Sequence, residues 1–163
     1  MTTTRRQLLR AAGVLAGTMA GARGIFAATQ TDGKKYEITR TEAEWQKLLT
    51  ADEFAVLRQD ATERPHSSPL DKEMRSGIYN CAGCALPVFF SEKKFISPTG
   101  WPSFWGVIPG AVDEAPDTSA DMVRTGISCH RCGGHLGHVF DDGPKPTGLR
   151  YCMNGLALGF KLA

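Results

Sequence analysis

The sequence lacks an excess of charge of either sign. Its 163 residues include 19 Lys and Arg and 17 Asp and Glu, so the formal net charge is +2. A protein that binds polyanions across its surface carries a strong positive excess, so nucleic acid is not an expected partner. With 42% hydrophobic and 22% charged residues, the composition is that of about one globular domain, which excludes a disordered tail or a fibre.

Long hydrophobic runs are also missing. The apolar run at residues 11–17 is short and rich in glycine, whereas a spanning helix needs about 20 apolar residues. Residues 1–27 hold four arginines and no acid, and a basic head before a short apolar middle is typical of a secretory signal. Residues 4–9 resemble the bacterial twin-arginine signal. We expect a signal peptide at 1–27, cleaved near Ala27, and a periplasmic mature chain without stable membrane insertion; an uncleaved anchor is the alternative.

The mature chain is expected to be slightly acidic. Of the 19 basic residues 15 would remain against 17 acidic ones, which changes the net charge from +2 to −2. Residues 28–35 are mostly polar and contain Gly33, so they are predicted to be a linker. Residues 36–163 form the expected single domain.

Helical patterns are confined to the start of this domain. Residues 41–44 resemble a capping box, in which Thr41 and Glu44 exchange hydrogen bonds, and the apolar residues that follow have the spacing of one helix face. A second short helix is expected over about 52–59, ending before the Arg64-Pro65 pair.

From residue 77 onward no helix of ordinary length is expected. Of the 18 glycines 13 lie there, and the apolar runs are short and separated by Gly or Pro, which is typical of strands. The strands are predicted at 78–79, 88–90, 104–108, 122–128, 135–140, 149–153 and 156–160. We therefore expect a mainly β fold, an antiparallel sandwich or barrel with short N-terminal helices packed on it.

A sixth cysteine is absent, and the five present divide into four and one. Cys81 and Cys84 form one Cys-x-x-Cys turn, and Cys129 and Cys132 form a second. Two such turns can direct four thiolates to the corners of a tetrahedron, so the spacing favours one structural Zn²⁺ per chain, without an open position for catalysis. Disulfides, a thioredoxin-like redox pair and rubredoxin-like iron are the alternatives.

The remaining cysteine, Cys152, lies on a predicted strand beside Arg150. A neighbouring guanidinium favours the thiolate, which is the form that acts as a nucleophile. Strand alternation would place Arg150, Cys152 and Asn154 on one face, an arrangement unsuited to an apolar core. The alternative is a buried free cysteine that acts as a small hydrophobic residue.

Four histidines and a tryptophan-rich turn complete the candidates. His135 and His138 are three residues apart, so on a regular strand they would lie on opposite faces. We expect His138 to act as acid or base to the lone cysteine; for His135 a structural role is equally open, and His66 and His130 are expected at the surface. Trp101 lies in a turn whose aromatic residues either anchor a core or wall an apolar pocket for a methyl-bearing substrate.

Together these motifs resemble those of the methionine-R-sulfoxide reductase (MsrB) family. The likeness covers residues 36–162, and the matching stretches are 62–70, the two Cys-x-x-Cys turns, 100–104, 135–140, 142–144 and 146–154. The resemblance implies two antiparallel sheets with N-terminal helices and a structural zinc on the four paired cysteines. It also implies reduction of the R epimer of methionine sulfoxide in oxidised proteins or peptides.

The resemblance further implies roles for single residues. Cys152 would attack the sulfoxide sulfur and be left as a sulfenic acid. Trp101 would wall the pocket for the terminal methyl group, with Phe104 beside it, and His138, with His135 nearby, would assist protonation of the sulfoxide oxygen. Three more residues would position water and substrate and tune the thiolate: Asp142, Arg150 and Asn154.

The sequence departs from the family at one position. Many members carry a second, resolving cysteine directly before the Gly-Trp-Pro-Ser-Phe stretch, where this chain has Thr99. We therefore expect an external thiol or a thioredoxin-like protein to reduce the sulfenic acid on Cys152. Two rival classes remain open from the residues: a non-catalytic zinc-stapled β domain that binds a ligand or peptide through the tryptophan turn, and a rubredoxin-like electron carrier.

Overall fold

The structure is a computed structural model that describes residues 34–119 and 122–163. Residues 35–163 form one compact unit. The predicted signal peptide and most of the predicted linker lie outside the described residues. Among the residues described, no helix combines the length and the apolar character needed to cross a membrane.

Two short α-helices open this unit, α1 (Glu42–Leu48) and α2 (Ala51–Gln59). Each begins with a capping box in which the residue before the helix and the third helical residue exchange hydrogen bonds: Thr41 with Glu44, and Thr50 with Glu53. The first box confirms the prediction, and the second was not predicted. Four apolar side chains of the two helices are buried and so fix them to the body of the fold: Trp45, Phe54, Val56 and Leu57.

Nine strands follow in the described residues: β1 (Gly77–Cys81), β2 (Pro87–Phe90), β3 (Lys94–Phe95), β4 (Ser103–Phe104), β5 (Val112–Asp117), β6 (Arg124–Cys129), β7 (His135–Phe140), β8 (Arg150–Met153) and β9 (Leu158–Leu162). They form a three-stranded sheet in the order β2-β1-β9 and a six-stranded sheet in the order β3-β4-β8-β7-β6-β5. Every pairing is antiparallel. The predicted mainly β fold, with two antiparallel sheets and short N-terminal helices, is confirmed.

Aromatic side chains from both sheets form the centre of the core. Phe89 of the smaller sheet stacks on Phe104 of the larger sheet, with ring centroids 4.2 Å apart, and Tyr79 meets Phe104 edge-on at 4.9 Å. All three side chains are fully buried. Burial of an aromatic side chain contributes roughly 1.5–3 kcal/mol relative to exposure, so these contacts hold the two sheets together.

Strands β3 and β5 were not predicted, and the physical reason is clearest for β5. This strand reads Val-Asp-Glu-Ala-Pro-Asp and lies at the edge of the six-stranded sheet. An edge strand pairs on one side only, so it accepts Pro116 and the exposed acidic side chain of Glu114, which a central strand would exclude. Conversely, residues 105–108 were predicted to be part of a strand, yet they form the loop that follows β4.

Candidate active site

The four cysteines of the two Cys-x-x-Cys turns form one cluster. Cys81 ends β1 and Cys129 ends β6, and the turn after each strand brings the second cysteine alongside. All four Sγ atoms lie within 4.8 Å of one another, with Cys81 and Cys132 3.7 Å apart and Cys84 and Cys129 3.5 Å apart. A disulfide needs about 2.05 Å, whereas sulfurs about 2.3 Å from a tetrahedral zinc lie about 3.8 Å apart. The donor set therefore fits a structural zinc and not disulfides.

The two helices pack against this cluster. The Arg58 guanidinium donates to the carbonyl oxygen of Cys132 at 3.1 Å. Arg58 and Arg40 each lie 5.0 Å from the centre of the Trp45 ring, close enough for cation–π attraction. The helices and the cysteine cluster thus stabilise each other.

Cys152 lies on β8, near the middle of the six-stranded sheet and outside the cysteine cluster. In the two flanking strands it faces Ser103 of β4 and His138 of β7. Its Sγ lies 3.8 Å from the hydroxyl oxygen of Thr99, and the residue is partly exposed. The lone thiol therefore has polar neighbours and access to solvent.

Opposing effects set the pKa of the Cys152 thiol. Burial is the largest and raises the pKa, while hydrogen bonding to Thr99 and the positive charge of Arg150 lower it; the net pKa is raised. Arg150 thus acts in the predicted direction, but burial outweighs it. At neutral pH the resting side chain is mainly the thiol, so a proton must leave as the nucleophile forms.

Arg150 is held in place by two contacts. Its Nε and one terminal nitrogen each donate to the Asp142 carboxylate at 2.8 Å, and its guanidinium lies 4.4 Å from the centre of the Phe140 ring. The bond to Asp142 raises the pKa of Arg150, and the same bond lowers the pKa of Asp142. The charge beside Cys152 is therefore permanent and oriented.

The prediction that His135 and His138 lie on opposite faces is wrong. Pairing between β6 and β7 skips Leu136, which is an extra residue in β7. Such a bulge changes the alternation of side chains, and the two imidazole rings lie 5.3 Å apart. Next to the bulge, Gly137 has φ +156°, and a Cβ added there would overlap the carbonyl oxygen of Cys152. Only glycine allows β7 and β8 to approach this closely.

His138 is bonded to an acid that the sequence did not identify. Its Nε2 lies 2.7 Å from an Asp117 carboxylate oxygen, which also accepts from Arg124 at 2.7 Å. Hydrogen bonds from Ser119, and then from His138, hold the pKa of Asp117 well below its ordinary value. Asp117 therefore remains ionised and fixes the ring of His138. Its strand, β5, was not predicted, so no local signal pointed to this pair.

His135 is more enclosed. Its side chain is 11% exposed, and its Nδ1 lies 4.0 Å from the Asp60 carboxylate. The Nε2 atom is buried and has no hydrogen-bond partner among the described residues. Burial lowers the pKa of His135, so this imidazole is neutral at neutral pH.

Trp101 and Phe104 have different surroundings. Trp101 is partly exposed, and its indole N–H donates to the carbonyl oxygen of Glu63 at 3.2 Å. Phe104, which was predicted to line the substrate site, is fully buried and stacks on Phe89. Phe104 is therefore part of the core between the two sheets and does not line the surface of the site.

Asn154 lies in the interior, and the other two histidines lie at the surface. Asn154 is buried just after β8, and both ends of its amide bond to backbone atoms, the N–H of Glu63 at 3.0 Å and the carbonyl of Leu136 at 3.3 Å. His66 and His130 have exposed side chains, as predicted.

Three hydroxyl groups beside Cys152 form a connected chain. The Ser97 hydroxyl lies 2.7 Å from those of both Thr99 and Ser103, and Thr99 continues to the Cys152 sulfur. Sequence reasoning missed Ser97 and Ser103, because single serines in a loop and a short strand carry no signal of their own.

These features define a class of protein: a small two-sheet β fold with a four-cysteine cluster and a separate thiol, which has a cation–carboxylate pair beside it and an imidazole opposite it on the next strand. The SelR domain family model matches residues 49–162. Peptide methionine sulfoxide reductase MsrB of Agrobacterium fabrum is 47% identical over 126 residues, which is 77% of this chain and 93% of that protein. The protein of the same name from Methanosarcina barkeri is 50% identical over 125 residues, 76% of this chain and 88% of that protein. The chain belongs to the SelR domain family.

The chain is also similar to solved structures. The crystal structure of the Mis18 'Yippee-like' domain matches with a TM-score of 0.45 and 19% sequence identity, covering 55% of this chain and 98% of that domain. A likeness at this level supports no statement about function.

Proposed function

We propose that this chain is a methionine sulfoxide reductase that acts on the R epimer of methionine sulfoxide in oxidised proteins and peptides. Reduction of methionine sulfoxide follows from its membership of the family and from the names of its relatives. The observation that carries the proposal is Cys152: of the five cysteines it alone lies outside the cluster, beside the oriented Arg150 and opposite His138. The preference for the R epimer rests on the family resemblance.

In the proposed reaction the Cys152 sulfur attacks the sulfoxide sulfur. The substrate S–O bond breaks, the oxygen ends on Cys152 as a sulfenic acid, and methionine leaves, so that the cysteine sulfur loses the two electrons that the methionine sulfur gains. The thiol proton passes through an imidazole to the sulfoxide oxygen and ends on the sulfenic hydroxyl. His138, which Asp117 orients, suits this transfer, and neutral His135 suits a hydrogen bond to the oxygen or to water.

The sulfenic acid on Cys152 then needs an external thiol. One thiol attacks the sulfenic sulfur, which releases water and forms a mixed disulfide, and a second thiol exchanges with that disulfide to regenerate Cys152. Thr99, 3.8 Å from the Cys152 sulfur, is not a thiol. The other four cysteines lie in the cluster, which supports a small thiol or a thioredoxin-like protein as the reductant.

The cysteine cluster has a separate task in this proposal. Cys81, Cys84, Cys129 and Cys132 would hold one Zn²⁺ through four sulfurs. A zinc ion with four sulfur ligands has no position for water or substrate, so it would stabilise the turns and take no part in the reaction.

An epimer-resolved assay tests the reaction. Purified protein is given a peptide with both epimers of methionine sulfoxide, first with dithiothreitol and then with thioredoxin, thioredoxin reductase and NADPH. We expect loss of the R epimer alone, and no turnover by Cys152→Ser with its fold and metal content unchanged. Turnover by this variant, or loss of the S epimer, would contradict the proposal.

We also propose export of the folded chain through the twin-arginine route, on the basis of the residues at 1–27 alone. Fractionation of a bacterium that expresses the full sequence tests this. The periplasmic form is expected to begin near Ala28, and the double variant Arg5→Lys, Arg6→Lys is expected to stay in the cytoplasm. A wild-type chain that stays in the cytoplasm with its N-terminus intact would refute export.

The two rival classes receive no support. The non-catalytic binding domain is not favoured, because the chain belongs to a family whose similar members are named as reductases. An electron carrier would need iron on the four cysteines, and purified protein would then absorb visible light, which a zinc protein does not.

A further inference from the structure

Glu63 is a buried charged residue in the loop after α2. Its side chain is among the few buried charged ones in the described part of the chain. Its two carboxylate oxygens accept from successive backbone N–H groups, those of Gly155 at 2.5 Å and Leu156 at 3.1 Å. These amides begin the short 3₁₀-helix Gly155–Ala157, which directly follows β8 and Asn154. The carboxylate therefore fixes the chain three residues beyond Cys152.

The backbone of Glu63 makes two further bonds in the same place. Its N–H donates to the side-chain oxygen of Asn154 at 3.0 Å, and its carbonyl accepts from the indole of Trp101 at 3.2 Å. Glu63 thus takes part in four hydrogen bonds, which connect it to Trp101, to Asn154 and to the two backbone amides that follow Asn154. Three of these bonds join residues more than 90 positions apart in sequence, and the bond to Trp101 spans 38.

The chemistry of this contact calls for a carboxylate. A carboxylate offers only acceptors, so it can serve two N–H groups at once, whereas the amide of a glutamine would turn one of its own N–H groups toward a donor. Burial raises the pKa of Glu63, and the bonds from Gly155 and Leu156 oppose that rise. Burial of a carboxyl group costs free energy. Here the carboxylate oxygens accept from backbone N–H groups that have few other partners, because these groups lie at the start of a helix.

We propose that Glu63 is a positioning residue for sulfoxide reduction, acting through Asn154 and Trp101 without touching the substrate. The carboxylate sets where the Asn154 segment leaves β8, and the backbone of the same residue sets the angle of the indole. The inference rests on the sulfoxide reductase activity of this site. Wild-type turnover tests that activity, and the comparison of a Glu63 variant with wild type tests the inference.

The first experiment compares Glu63→Gln with wild type in two reactions of Cys152. We expect kcat/KM for the R-sulfoxide peptide to fall at least tenfold, because the pocket is displaced. Alkylation of Cys152 by iodoacetamide, which needs neither Trp101 nor Asn154, is expected to change less than twofold. An equal fall in both rates, or a kcat/KM within twofold of wild type, would overturn the proposal.

Two matched variants separate positioning from stability. Glu73→Gln changes a carboxylate whose side-chain bonds go to exposed Arg75, and its kcat/KM is expected within twofold of wild type. Val88→Ala removes buried methyl groups from β2, a strand that takes part in none of the four Glu63 hydrogen bonds, and lowers stability. This core variant is expected to lose as much melting temperature as Glu63→Gln and yet to retain wild-type kcat/KM. If its kcat/KM falls as far as that of Glu63→Gln, the proposal is overturned.

A double variant tests the route through Asn154. If Glu63 acts through this residue, Glu63→Gln combined with Asn154→Ala is expected to lose little more activity than Asn154→Ala alone. If the losses of kcat/KM in the two single variants multiply in the double variant, Glu63 does not act through Asn154. Should Glu63→Gln not fold, Glu63→Asp keeps the charge on a shorter side chain and is carried through the same assays with the same expectations.

Discussion

The hydroxyl of Thr99 and the thiol of Cys152 lie 3.8 Å apart. If both side chains carried sulfur, small rotations would bring the two atoms from this distance to the disulfide length of about 2.05 Å. The structure therefore has room for an internal resolving thiol at position 99, but the hydroxyl of Thr99 cannot form a disulfide with Cys152.

We predict that Thr99→Cys forms a disulfide with Cys152 after one turnover. The expected result is that one equivalent of R-sulfoxide, given without reductant, lowers the protein mass by two hydrogen atoms, and that peptide mapping links residues 99 and 152. Thr99→Ser keeps the hydroxyl and is expected to show a sulfenic acid instead. A mapped link from Cys152 to any cysteine of the cluster in wild type would contradict the external-thiol proposal.

The raised pKa of Cys152 predicts a pH dependence. Alkylation requires the thiolate, so its rate at pH 7 is expected to be lower than that of an ordinary cysteine and to rise with pH until the raised pKa is passed. Arg150→Gln removes a charge that lowers this pKa, so the midpoint is expected to move to still higher pH. The measurement is the rate of iodoacetamide labelling from pH 6 to 10, with Arg75→Gln as control; an unmoved midpoint in Arg150→Gln would contradict the role of its charge.

At the scale of elements, strand β5 holds the imidazole of His138 through Asp117. We predict that Asp117→Asn lowers kcat/KM for the sulfoxide roughly ten- to hundredfold, below the full 10²–10⁴-fold effect typical of an acid–base group. Asp113→Asn, on the same strand and bonded to exposed His130, is the control and is expected to stay within twofold of wild type. Equal activities of the two variants would argue against orientation of His138 by Asp117.

The close approach of β7 and β8 at Gly137 gives a second prediction at this scale. A Cβ there would overlap the carbonyl oxygen of Cys152, so Gly137→Ala is expected to lose roughly 3 kcal/mol of stability and most of its activity. Gly159→Ala on β9 is the control, because an added Cβ meets nothing within 4 Å. Urea unfolding of both variants measures the difference, and equal midpoints would contradict the argument.

Local and distant contacts explain what the sequence could predict of this fold and site. The cysteine cluster and the first capping box depend on spacings of three residues, so both were predicted. The bond between Asp117 and His138 spans 21 residues, and that between Glu63 and Asn154 spans 91. Neither leaves a periodic pattern. The assumption of regular alternation failed for His135 because Leu136 is an extra residue in its strand.

For the whole molecule, the cysteine cluster joins the ends of β1 and β6, one strand from each sheet. We predict one zinc per chain by elemental analysis of protein folded in the cytoplasm, and no iron. Removal of the metal with a chelator under denaturant, followed by refolding, is expected to cost several kcal/mol of stability. The four cluster thiols should then become reactive to iodoacetamide. Metal-free protein with an unchanged melting temperature would rule out a structural metal.

The extra residue in β7 also affects which changes of chain length the site can accept. Leu136 is fully buried, and its carbonyl accepts from both the backbone and the side-chain amide of Asn154. One bulged residue thus fills the core while the two imidazole rings on either side of it lie 5.3 Å apart, and His138 stays opposite Cys152 in the neighbouring strand. A deletion here would keep the two imidazoles on one face but leave a hole in the core and free the Asn154 amide. In the course of evolution this segment can therefore exchange residues of similar size, but it cannot shorten.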